Sequence, residues 1–134
     1  MLKNMTFLDE KKAGQLPVLN LAYIGDAVYE LLIREYLLKK ENVKVKNMHQ
    51  KTVEIVRAEA QAKALNEIDS HLDKSESSIV RRARNTKINN PPKSVELADY
   101  RRATALEALF GYLYLSNNFE RLLELFDLIK IKQN

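Results

Sequence analysis

The chain has 134 residues, no cysteine, two histidines and a formal net charge of +4, with 46% hydrophobic and 30% charged residues. That is one domain's worth of sequence with an ordinary soluble composition, and it excludes disulfides, thiolate catalysis and cysteine-bound zinc. Only three glycines and three prolines punctuate it, so long helices with few turns are expected.

Met1 to Lys12 mixes charged and apolar residues and lacks the hydrophobic region of a signal peptide. A short helix or turn is expected up to Leu16, packing Phe7 and Leu8 and ending around Gly14 and Pro17. The near-apolar stretch Leu16 to Ile33 is interrupted by Asn20, Asp26 and Glu30, which argues against a membrane span. The expectation is a soluble, reduced, cytoplasmic protein.

From Val18 to Lys40 apolar residues (Leu21, Ile24, Val28, Leu31, Leu32, Tyr36, Leu38) recur at helical spacing. Up to Ile33 this helix is apolar nearly all round, as a central helix or one shared with a partner subunit would be. Asp26 stands alone among those residues and follows Gly25. A carboxylate there is costly unless paired, hydrogen-bonded or metal-bound. Two readings stay open at this point: Asp26 caps a helix beginning at Ala27, with Gly25 as the break, or it is a metal or catalytic acid.

A polar turn at Lys39–Asn42 leads to a helix from Val45 to Ile68, with Val53, Val56, Ala60, Ala64 and Leu65 inward. After a connection at Ser70–Lys74, Ser75 or Ser77 can cap a short helix that turns Ile79 and Val80 in and its arginines out. Asn85 to Pro92 reads as a loop, because Asn-Asn-Pro-Pro cannot continue a helix. Ser94 is the expected cap of a helix from Val95 to Leu115, and Asn117 or Asn118 starts a last one to about Ile131. No repeat, low-complexity tract or strand-period segment appears. The fold class is all-α, about five to six helices in one domain spanning 1–134.

Charge is uneven. Ile79 to Arg102 holds seven bases (Arg81, Arg82, Arg84, Lys87, Lys93, Arg101, Arg102) and two acids, a local +5 that leaves −1 for everything else. Such a concentration of arginine suggests nucleic acid phosphate; the competing reading pairs these arginines with Glu76, Glu96 and Asp99. His49 and His71 form no metal-ligand pair on one helix and are expected at the surface, although His49 lies near Lys46 and Lys51 and could touch a phosphate. Tyr23, Tyr29, Tyr112 and Tyr114 are expected in core or dimer packing.

One residue breaks the apolar run Ala103-Thr-Ala-Leu-Glu-Ala-Leu-Phe110. It is Glu107, flanked by Ala103, Ala105, Ala108 and Gly111, which leave room for another helix. If the Asp26 and Glu107 helices cross there, two carboxylates face each other and call for a cation, and oxygen-only ligands suit Mg²⁺. Mg²⁺ carboxylates beside an arginine-rich surface suggest phosphodiester hydrolysis.

Leu-Ala-Tyr-Ile-Gly-Asp-Ala-Val at 21–28 resembles the ribonuclease III signature, E-R-L-E-F-L-G-D-A-V, and 104–115 resembles that family's second acidic motif, D-x-x-E-A-L-x-x-A-x-Y-L. Together with Arg-Ala-Arg-Asn-Thr-Lys at 82–87, the chain looks like the shortened, mini-ribonuclease III branch, without the double-stranded-RNA-binding domain that normally follows. The resemblance implies an α-helical homodimer forming one valley for double-stranded RNA, with Mg²⁺-dependent strand cleavage and maturation of the 23S ribosomal RNA precursor. It admits a ribosomal-protein helper. It makes Asp26 and Glu107 catalytic metal ligands, and Arg81, Arg82, Arg84, Asn85 and Lys87 are the candidate RNA contacts.

Two family acids are missing: Ala22 stands four positions before Asp26, and Thr104 replaces the second-motif aspartate. Thr104 can offer a hydroxyl and Glu30 can act through water, so fewer direct metal bonds and looser Mg²⁺ binding are expected. Two other classes remain open: a non-catalytic, ribosome-associated RNA-binding relative, and a basic helix-turn-helix DNA regulator. Retention of both acids counts against the first, and the Pro-Pro loop ending the arginine cluster counts against the second.

Overall fold

The computed structural model describes residues 7–40 and 44–131. Within these lie seven helices: Glu10–Gln15 (α1), Val18–Lys39 (α2), Val45–Ile55 (α3), Ala58–Ile68 (α4), Lys74–Asn85 (α5), Leu97–Leu115 (α6) and Phe119–Leu128 (α7). A 3₁₀ turn at Asp69–His71 joins α4 to α5, and no strand occurs among the described residues. The all-α expectation holds. The beginning of the first expected segment, the middle of the turn after α2 and the last three residues lie outside the described residues.

Helix α6 is the axis of the fold. Its residues 103–106 and 108–113 are all buried, and α2, α4 and α5 pack around it. Leu21, Ile33, Leu37, Leu106, Leu109 and Phe110 are completely enclosed, each contributing roughly 1.5–3 kcal/mol relative to exposure. Tyr29 meets Phe110 edge-on at 5.2 Å between centroids, and Tyr29 and Tyr112 belong to the core. Tyr23 does not: it is 81% exposed.

Helices α2 and α6 touch backbone to backbone. A Cβ on Gly25 would overlap the Glu107 carbonyl, and a Cβ on Gly111 would overlap that of Leu21. Gly25 is therefore not a helix break. It lies inside the 22-residue α2, as the helical spacing from Val18 to Lys40 predicts, and of the two open readings the one in which Asp26 caps a new helix is excluded. Close approach, not a turn, is what this glycine serves.

The single helix expected from Val45 to Ile68 is two, parted at Val56 and Arg57, where Arg57 is extended (ψ 152°). Rotation explains the break. Thr52 is buried on α3, and Gln61 and Leu65 are buried on α4; on one straight helix Gln61 would lie about half a turn away from Thr52. Separating the segments lets α3 face α2 while α4 faces α6. Val53, expected inward, is 47% exposed as a result.

Helix α5 is capped by Asp73, not by Ser75 or Ser77. Asp73 accepts from the Glu76 N–H at 2.8 Å, and Glu76 accepts from the Asp73 N–H at 3.0 Å, a reciprocal capping box. Glu76 is 2% exposed and also receives the Arg121 guanidinium at 2.8 and 2.9 Å, which ties α5 to α7. Helix α6 starts at Leu97 without a side-chain cap, two residues later than expected. It ends in a Schellman turn: Asn117 is left-handed (φ 61°), and the Asn118 N–H donates to the Leu113 carbonyl at 2.8 Å. Helix α7 follows at Phe119 and stops at Leu128, short of the expected Ile131.

Candidate active site

The glycine crossing brings the two acids together. Asp26, one residue after Gly25 on α2, is solvent-exposed. Glu107, whose own carbonyl abuts Gly25, is only partly accessible and its carboxyl is pushed up to about 8. Burial is the largest cause; the charge of Asp26 and a hydrogen bond to it come next, and Gln61 opposes them. Near neutrality a proton stands between the two carboxyl groups and holds their repulsion in check. A divalent cation meets the same need with more charge, and oxygen donors are what a hard cation prefers.

Gln61 is the site residue that sequence reasoning missed. It comes from α4, is 3% exposed, and favours the ionised form of Glu107. A glutamine in an Ala-rich amphipathic helix reads as surface, and only the α3–α4 break turns it inward. Among the described residues no group of three His, Cys, Asp or Glu side chains is placed to hold a metal ion. The donor set is a carboxylate pair with a neighbouring amide.

The other expected participants are engaged elsewhere. Thr104 is buried and its hydroxyl donates to the Tyr100 carbonyl at 3.0 Å, leaving its oxygen lone pairs free to accept. Glu30 pairs with Arg34 at 2.9 Å, one turn further along its own helix. Ala22 is buried and apolar. A separate cavity of about 420 Å³ lies beside Tyr29 and Ile129 and includes neither acid.

On the basic segment, Arg81, Asn85 and Lys87 are exposed and Arg84 is half-buried. Arg82 donates to the carbonyls of Gly14 at 2.7 Å and Leu16 at 3.2 Å, closing the C-terminal end of α1. The competing expectation, pairing with Glu76, Glu96 or Asp99, is met by Arg102 alone; among the described residues Arg81, Arg82, Arg84 and Arg101 form no ion pair. Glu76 binds Arg121, and the one close pair in this window is Arg102 with Asp99 at 3.7 Å. His49 and His71 are both exposed.

Residues 19–118 match the ribonuclease III domain family. A mini-ribonuclease 3 from a Thermoanaerobacter species is 46% identical over 95% of this chain and 89% of its own. One from Clostridium tetani is 45% identical over 86% of this chain and 77% of its own. A Fusobacterium nucleatum protein of known crystal structure superposes with a TM-score of 0.77 at 32% identity, over 84% of this chain and 90% of that one. With Asp26 and Glu107 paired where the two acidic motifs cross, the chain belongs to the ribonuclease III family, in its mini-ribonuclease 3 branch.

Proposed function

We propose that the protein is a Mg²⁺-dependent endoribonuclease that cuts double-stranded RNA and matures the 23S ribosomal RNA precursor in the cytoplasm. The observation that carries the chemistry is the Asp26–Glu107 pair, with Glu107 held near 8. Asp26 and Glu107 would hold the cation, which when bound supplies Lewis-acid activation of water and stabilises the leaving oxygen. Gln61 favours the ionised form of Glu107, the form that can accept a cation. Asp26, exposed beside it, would offer the solvent-accessible carboxylate of the pair.

Arg81, Arg84, Asn85 and Lys87 supply phosphate contacts, which suit a duplex whose bases are hidden in a narrow groove. A homodimer fits the exposed apolar residues of α2, where Leu19, Tyr23, Leu31 and Leu38 are 45–81% exposed along one helix. No helix among the described residues is long and apolar enough to cross a membrane. A ribosomal-protein helper would present the precursor.

The test is cleavage of a long, perfectly paired RNA with Mg²⁺, comparing wild type with Asp26→Asn. Cutting by the wild type alone, with duplex binding retained in the variant, is expected. Binding without cutting by either would favour the non-catalytic reading, for which Ala22 and Thr104 are the specific observations.

A further inference from the structure

A hollow of about 230 Å³ lies where the end of α5 meets the start of α6, lined by Arg84, Asn85, Ala98, Arg101 and Arg102. No acid lines it. Arg102 leans toward Asp99, but neither Arg84 nor Arg101 makes an ion pair or a side-chain hydrogen bond among the described residues. Two cations from different helices that share one recess repel each other, and an anion placed between them relieves the repulsion. The first turn of α6, Ala98 included, has no side-chain cap, so its N–H groups add to the field, offset in part by Asp99 in the same turn, which Arg102 neutralises. A neighbouring hollow shares Arg84 and Asn85 but also contains Asp69, which makes it the poorer anion site.

We infer that Arg84 and Arg101 together hold one backbone phosphate of the RNA duplex, while Arg82 serves the fold. The inference rests on the duplex-RNA reading above. Arg82 and Arg84 are two residues apart on α5 and so point about 160° apart around the helix. One reaches the α1 carbonyls, and the other faces α6. Arg101 precedes Glu107 by six residues, about 9 Å along the axis and a third of a turn around it. A phosphate held there sets the strand beside the carboxylate pair without occupying it. Nothing in the local sequence singles out Arg101; the packing of α5 on α6 does.

The experiment is fluorescence anisotropy of a labelled RNA duplex, in chelator to prevent cleavage, over salt from about 50 to 200 mM. Wild type is compared with Arg84→Ala, Arg101→Ala, the double variant and Arg82→Ala, each also melted thermally. Arg84→Ala and Arg101→Ala should each weaken binding several-fold and reduce the slope of log affinity against log salt by about one. The double variant should lose little more, because a single phosphate is shared. Arg82→Ala should keep the slope and lower the melting temperature. A wild-type slope in Arg101→Ala would overturn the inference, and so would a double variant that loses about two. Competition by millimolar inorganic phosphate as strong as that by duplex would also overturn it, marking a free-phosphate site. A wild type that neither binds nor cuts the duplex would instead overturn the functional reading beneath it.

Discussion

At the α2–α6 crossing two backbones touch through Gly25 and Gly111, and a carboxyl is held partly out of water. A few residues away, at the α5–α6 hollow, Arg84 and Arg101 stand without partners among the described residues. Both regions concentrate like charge, but they support it differently. The crossing must be close-packed to bring Asp26 and Glu107 together, so its charge is raised in energy by burial and relieved by a proton or a cation. The hollow leaves Arg101 exposed and Arg84 half-buried but open to water, where they cost the fold little. Substitutions at the crossing should therefore act on folding as well as on chemistry. Those in the hollow should act on binding alone.

The largest effect is expected from Gly111→Ala. Its Cβ would overlap the Leu21 carbonyl, and a backbone atom cannot rotate away. The helices must part, at an expected loss above about 4 kcal/mol in urea unfolding. A loss within about 1 kcal/mol would mean that the crossing opens easily and that close packing there does not carry the fold.

The Glu76–Arg121 pair tests the middle ground, being buried like the crossing and charged like the hollow. Arg121→Ala strips a 2%-exposed carboxylate of its bidentate partner. A loss of about 3 kcal/mol is expected by chemical denaturation, with duplex affinity at low temperature unchanged. A drop in affinity matching that of Arg84→Ala would place Arg121 at the RNA.

Smaller still is a pH effect with a definite sign. Glu107 ionises near 4.5 when unfolded and near 8 when folded, so the folded state holds the extra proton between those values. Metal-free stability should fall as pH rises through that window, by on the order of 2–4 kcal/mol once solvent screening of this partly accessible group is allowed for, with the loss complete above pH 8. Glu107→Gln removes the titration and should flatten the curve, becoming the more stable protein at pH 9. Parallel curves for the two proteins would assign the slope to other groups.

The all-α class, both acids and the basic stretch were legible from the chain because periodicity, an isolated acid and a charge excess are local signals. What failed needed tertiary information. Gly25 reads as a breaker until the Glu107 carbonyl is known to press on it. The α3–α4 break carries no proline or glycine, so nothing at Val56–Arg57 announces it; the demand that Thr52 and Gln61 both face inward creates it. Asp73 and Glu76 are a missed local signal, since Asp-x-x-Glu spacing is itself a capping signature. Arg82 and Arg84 are equivalent in sequence, and only the position of α1 makes one of them structural.

Whether Asp26 and Glu107 form a cation site held near neutrality by a proton is tested most directly by calorimetric titration of Mg²⁺ at pH 7 in buffers of different ionisation enthalpy. With Glu107 near 8, most molecules carry the proton that a cation must displace. Binding should release close to one proton per site at pH 7, almost none at pH 9.5, and none in Glu107→Gln at either pH. Mg²⁺ that binds at pH 7 with no proton release would show that it sits elsewhere or that Glu107 is already ionised, and in either case the carboxyl pair is not a proton-held cation site.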